Sequence, residues 1–200
     1  MAKGNQNHTT MICAAKNPKC KMETLAALEG MGVSLTEKCE TDATVLMYYV
    51  RYAEVMNQEC VKYLMGKGND IKHGDKNKMT CLHYTMINNH AGADEMKFLV
   101  DNGADINAKM AQDIDMLDLV IYTQNMKNAN FHRILNMTRY LVEKMDINAY
   151  DLRKLVVIQQ LLTFDKLLMC KLRHHGDQLQ GKKAVFQLPE QVFKHLTGYI

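Results

Sequence analysis

Residues Thr80–Met86 read TCLHYTM, and residues Asn102–Asn107 read NGADIN. The first stretch opens a helix: a threonine hydroxyl ahead of an apolar run is an N-terminal capping signal. The second closes one. A glycine takes the left-handed conformation that stops a helix, and an aspartate two residues on folds the chain into a turn. Between the two lie Met96, Phe98, Leu99 and Val100, which line one helical face. The span between the signals therefore reads as helix, turn, helix, then a glycine-stopped loop.

Both signals recur. The first appears as TMICAA from Thr10, TVLMYYV from Thr44 and, more weakly, DMLDLVI from Asp115; with Thr80 the starts are spaced by 34, 36 and 35 residues. The second appears as MGVSL (31–35), KGNDI (67–71) and KMDIN (144–148), so its glycine-equivalent positions are 32, 68, 103 and 145. Thr10, Thr44 and Thr80 are the expected caps. Gly32, Gly68 and Gly103 are the expected helix stops, and Asp70 and Asp105 the turn formers. Val61, Leu64 and Met65 in the second unit, and Leu135, Tyr140, Leu141 and Val142 in the fourth, repeat the apolar stripe. The last step of 42 places an insertion in the fourth unit, in the polar stretch QNMKNANFHR (124–133). That unit also has Asp115 for Thr, Asp118 for His and Met145 for Gly, which predicts a distorted or register-shifted repeat.

These two boxes in phase resemble those of ankyrin-repeat proteins. Thr80-Cys81-Leu82-His83 matches the family's T-P-L-H box without its proline, and Gly103-Ala104-Asp105-Ile106-Asn107 its G-A-D-I-N loop. The resemblance implies an all-α solenoid of about four repeats (5–38, 39–74, 75–110 and 111–150). Such repeats cannot bury their faces singly and fold as one array with atypical ends. DLRKLVVIQQLLTFDKLLMCKL and the residue after it (151–173) read as a helical cap, and 174–183 as a polar linker. In such proteins a histidine placed like His83 bridges neighbouring repeats.

Composition narrows the function. A net charge of +3 lacks the dense basic face of a nucleic-acid-binding domain. The first residues, MAKGNQNHTT, have no apolar signal core, and the longest apolar stretch is cut by Gln159 and Gln160, so neither a signal peptide nor a membrane span is expected. The six cysteines are scattered, as reduced core thiols would be. These features together predict a cytoplasmic protein. A mild basic cluster (Lys171, Arg173, His174, His175, Lys182, Lys183) reads as a solvated linker or a nuclear signal. Cys81-x-His83 and Cys170 with His174-His175 do not supply the four close ligands of a structural zinc site. Motif searching gives no phosphate loop, nucleophile elbow or zinc-protease signature, so neither a catalytic group nor a cofactor is expected.

What is left is binding. Repeat arrays offer an extended surface of loop tips and first helices. The expected exposed tip residues are Lys72, His73, Asp75, Lys76, Asn77, Lys109, Gln112 and Asp113, read either as a partner surface or as solvent-facing turns. The final segment (184–200), which ends LPEQVFKHLTGYI (188–200), forms a second candidate. Pro189 suits a first helical turn, and Val192, Leu196 and Ile200 make one apolar stripe. Periodicity is satisfied by a helix folded back on the cap. The residue order also resembles the leading half of an F-box, L-P-x-E-V-x-x-x-I-x-x-Y-L, with Leu188, Pro189, Val192, Leu196, Tyr199 and Ile200 in place and Gln191 for Glu. Ankyrin repeats followed by such a segment resemble the ankyrin/F-box (PRANC-type) host-range proteins of poxviruses. That resemblance implies an adaptor which holds a target and docks on the Skp subunit of a cullin-RING ubiquitin ligase in the host cytoplasm. The alternative is an inhibitor or decoy that masks a signalling protein or Rel-type transcription factor, with the last helix only a cap.

Overall fold

The computed structural model describes residues 9–124, 131–145 and residue 158. The first of its two units, Met1–Met145, contains eight α-helices among the described residues. They pair as α1 (Thr10–Ala15) with α2 (Met22–Gly30), α3 (Val45–Tyr52) with α4 (Gln58–Gly66), α5 (Cys81–Met86) with α6 (Ala93–Asp101), and α7 (Met116–Gln124) with α8 (Phe131–Lys144). The first helices pack in the order α1, α3, α5, α7. Among the described residues β-structure is limited to one bridge, between Lys38 and Thr44. The fold is an all-α repeat solenoid. Of the second unit, Asp146–Ile200, only Ile158 is described; it is helical and buried. Apart from Ile158, which falls in the expected cap, the cap, linker and terminal helix lie outside the described residues.

The helix starts repeat more strictly than the letters. Thr9, not Thr10, caps α1: its hydroxyl accepts from the Ile12 amide at 3.3 Å. The caps are thus Thr9, Thr44, Thr80 and Asp115, spaced 35, 36 and 35 apart. The TMICAA match misplaces the cap because two threonines adjoin, and only the non-helical backbone of Thr9 decides between them.

The fourth repeat keeps its register at the start of its first helix. The Asp115 carboxylate accepts from the Leu117 and Asp118 amides at 2.9 and 3.0 Å, while the Asp118 carboxylate accepts from the Asp115 amide at 3.1 Å. This is a capping box built from two aspartates. α8 begins at Phe131, within the stretch expected to hold the insertion.

Each second helix in repeats one to three ends the same way. Gly32, Gly68 and Gly103 have φ of 86°, 99° and 99°, and the next amide returns to a carbonyl one turn back (Val33 to Leu28, Asn69 to Leu64, Ala104 to Leu99). At Gly68 the space is also tight: a Cβ there would sit 3.3 Å from the Thr36 methyl.

Burial follows position in the stack. In α3, held between α1 and α5, every residue from Val45 to Val50 is buried. Each large apolar side chain so enclosed contributes about 1.5–3 kcal/mol. Of the expected second-helix stripes, Val61, Leu64, Met96, Leu99, Leu135, Tyr140 and Leu141 are buried, whereas Met65, Phe98, Val100 and Val142 stay half-buried.

Candidate functional site

Successive repeats are joined by short hairpin tips at 39–43, 75–79 and 110–114. Each closes through a backbone bond at its base: Cys39 to Ala43 (3.1 Å), Asp75 to Met79 (3.0 Å) and Met110 to Ile114 (2.8 Å). Each also puts a non-glycine residue in the left-handed region near the turn: Asp42 (φ 64°), Lys78 (φ 58°) and Asp113 (φ 57°). Neighbouring tips bond to one another. The Lys76 amide donates to the Thr41 carbonyl at 2.9 Å, and the Ala111 amide to the Asn77 carbonyl at 2.8 Å. The tips are therefore one laddered edge rather than separate loops.

Asp75 is not a surface residue. It is buried, and its carboxylate accepts from the Asn77 and Met79 amides (2.8 and 2.9 Å) and from the Tyr84 hydroxyl (2.9 Å). A short acidic side chain beside a hairpin satisfies its amides internally, so the expectation of exposure fails there. His73 is half-buried and spans two tips: its Nε2 lies 2.8 Å from the Asp42 carbonyl and 3.1 Å from the Asp42 carboxylate. Lys72, Lys76, Asn77, Lys109, Gln112 and Asp113 are exposed.

One helical step behind the tips lies an aromatic row. Tyr48 and Tyr52 stack with centroids 6.3 Å apart, and Tyr84 approaches Tyr48 at 6.4 Å. The Lys16 ammonium sits 5.9 Å above the Tyr48 ring and 5.6 Å above the Tyr52 ring, and the Arg51 guanidinium 5.3 Å from Tyr52. Tyr48 also donates to Cys39 Sγ at 3.5 Å, beside Thr41 Oγ1 at 2.9 Å. Burial acts to raise the Cys39 thiol, but these bonds outweigh it and hold the group below the ordinary thiol range. Tyr48 with Cys39 and Tyr84 with Asp75 occupy equivalent places; the fourth repeat has Leu119 and Met110 there.

His83 serves its own repeat. The Thr80 amide donates to its Nδ1 at 3.0 Å, and the Thr80 hydroxyl lies 3.0 Å from the same atom. An amide can only donate, so Nδ1 is bare and the neutral ring carries its proton on Nε2. Burial pushes this histidine down to about 4, against the opposing pull of the Asp75 carboxylate and, less, of the Ala108 backbone. Bridging between repeats falls instead to Asn69, which lies in the KGNDI box, and to Asn88 and Arg133, which neither box includes. Asn69 donates to the Leu35 and Leu64 carbonyls (3.0 and 3.1 Å) and accepts from the Leu46 amide (3.3 Å). Asn88 donates to the Val50 and Ala53 carbonyls (2.8 and 2.9 Å), and Arg133 to those of Met86 and Ala91 (3.2 and 3.0 Å). Asn88 carried only the signal of a polar residue where an apolar stripe ends, and Arg133, in the first turn of α8, carried none.

Among the described residues no three His, Cys, Asp or Glu side chains converge to hold a metal ion, and no helix is long and apolar enough to cross a membrane. Burial raises Cys60 to about 11 and Cys81 to about 12, which keeps both thiols protonated at neutral pH.

Stacked helix pairs with a laddered row of tips define a helical repeat protein whose broad surface suits another protein. The family model for ankyrin repeats (three copies) matches residues 10–110 and again residues 46–151. The chain belongs to the ankyrin-repeat family, and the repeats imply a protein partner. No curated protein matches the sequence.

Proposed function

We propose that this chain is a non-catalytic adaptor that acts in the cytoplasm, or in the nucleus. Its repeats hold a target protein through the tips and first helices. Its terminal segment, through Leu188, Pro189, Val192, Leu196, Tyr199 and Ile200, docks the Skp subunit of a cullin-RING ubiquitin ligase, in the service of viral modulation of host defence. The observation that carries the binding half is the laddered tip edge, in which Lys76 bonds to Thr41 and Ala111 to Asn77. A surface preorganised in this way loses little entropy on binding. The ligase half is supported by the order of residues in LPEQVFKHLTGYI.

A pull-down from cell extract tests it. The full chain should retain Skp and cullin, and the chain lacking 184–200, or carrying Leu188→Asp with Val192→Asp, should lose both. If the full chain retains no Skp subunit, the ligase half is wrong. The inhibitor reading then takes its place, under which removing 184–200 lowers the melting temperature and touches no ligase.

A further inference from the structure

The middle tip differs from its neighbours in charge. Lys72, Lys76 and Lys78 are exposed, and none of their ammonium groups forms an ion pair or ring contact with a described residue. The carboxylate beside them, Asp75, is buried and committed to the Asn77 and Met79 amides and the Tyr84 hydroxyl, so it is not presented to solvent with them. Asp70, at the foot of the loop, accepts from the Lys72 amide at 2.8 Å. The first tip instead pairs Lys38 with Asp42 at 3.2 Å and adds Glu37 and Glu40; the third carries Lys109 and Asp113.

Backbone conformation points to the same residue. Lys78 occupies the left-handed position that Asp42 and Asp113 fill in the flanking tips. Aspartate tolerates that region through local hydrogen bonding, whereas a long unbranched cation gains nothing from it. Gly74 is what leaves room for this turn, because a Cβ there would lie 3.2 Å from the Lys78 Cα. A strained lysine with no partner inside the fold is placed for something outside it.

We infer that the middle tip, through Lys72, Lys76 and Lys78, docks an acidic segment of a partner protein. The inference rests on the reading of the stack as a protein-binding surface and names the chemistry of what it binds. Lys16, above the Tyr48 and Tyr52 rings, extends positive charge behind the tips. The ladder bonds fix the backbone that carries these lysines, so a run of Asp and Glu side chains meets them without first ordering the loop.

The probe is a fluorescein-labelled peptide of alternating Glu and Asp, titrated with the full chain and followed by anisotropy. Wild type should bind in a salt-dependent way. Lys72→Glu, Lys76→Glu and Lys78→Glu together should weaken binding by roughly tenfold or more, while Lys62→Glu, Lys97→Glu and Lys144→Glu together, an equal charge change on the second helices, should not. Lys78→Gly separates function from structure: it should raise the melting temperature by relieving the backbone and lower the affinity for the peptide. Equal loss in both triple variants, equal binding of a DNA duplex, or a Lys78→Gly chain with unchanged affinity overturns the inference. So does a wild type that ignores the peptide. A target captured by the stack and held equally by the Lys72/Lys76/Lys78 variant would overturn this inference and leave the protein-binding reading intact.

Discussion

At the start of α5 the Thr80 amide donates to a neutral imidazole, that of His83; at the start of α7 the Asp115 amide donates to the Asp118 carboxylate. The third and fourth repeats differ again in how they hold the repeat before them. Asn88 reaches back from the third to carbonyls at the end of α3, and Arg133 reaches back from the fourth to carbonyls around the end of α5. Different side chains meet the same demands: an acceptor three residues after the cap, and a donor for helix-end carbonyls that packing has removed from water. The second repeat meets the first of these with a thioether, Met47 Sδ, 3.4 Å from the Thr44 amide. A repeat is thus defined by which backbone groups need partners, and its consensus letters are one set of answers.

The largest test of that comparison is His83. Replacement by Ala removes a fully buried side chain and leaves the Thr80 amide without its acceptor, a loss of about 3 kcal/mol in denaturant unfolding. The wild type should also be acid-sensitive through this group. Its folded value of about 4 lies below the ordinary histidine value of 6.5, so as pH falls the unfolded chain takes up the proton first. The stability it contributes is complete above pH 6.5 and is lost as pH falls through about 4, in all about 3 kcal/mol. His83→Gln keeps a box acceptor and should abolish that segment of the pH profile.

Smaller is the effect expected at the ties. Arg133→Met should cost about 2 kcal/mol by leaving the Met86 and Ala91 carbonyls unpaired, and Asn88→Leu should cost as much for those of Val50 and Ala53. Hydrogen exchange tells them apart: Arg133→Met should loosen the third repeat against the fourth, Asn88→Leu the second against the third. Smallest is Asp115. Asp115→Ala should cost about 1 kcal/mol and Asp115→Thr much less, since threonine restores the cap that the other repeats use. If Asp115→Thr is as damaging as Asp115→Ala, the equivalence of the two repeats is broken.

The fourth repeat also shows how far the residues could be read in advance. Asp115 and Asp118 looked like departures because a match to letters cannot see that a carboxylate accepts the same amides as a hydroxyl or an imidazole. Asp75 looked like a tip residue because its neighbours Lys76 and Asn77 are exposed; its burial depends on Tyr84, nine residues on and in a different element. Cys39 carried no signal either, since its thiol is set by burial, by Thr41 and by Tyr48 across the turn.

What the sequence determined alone is the local grammar: a period of 34 to 36 residues, a capping side chain near the start of each first helix, and a glycine where the second helices of repeats one to three turn left-handed. These follow from interactions within about four residues, which any window of the chain displays. Only the tertiary structure decided which polar groups are consumed inside the stack and which are left for a partner. Asn69, Asn88 and Arg133 find carbonyls 34 to 47 residues away, while Lys72, Lys76 and Lys78 find no ion pair among the described residues. Burial of one repeat against the next sets that division, because a polar group removed from water must be paired and one left in water need not be.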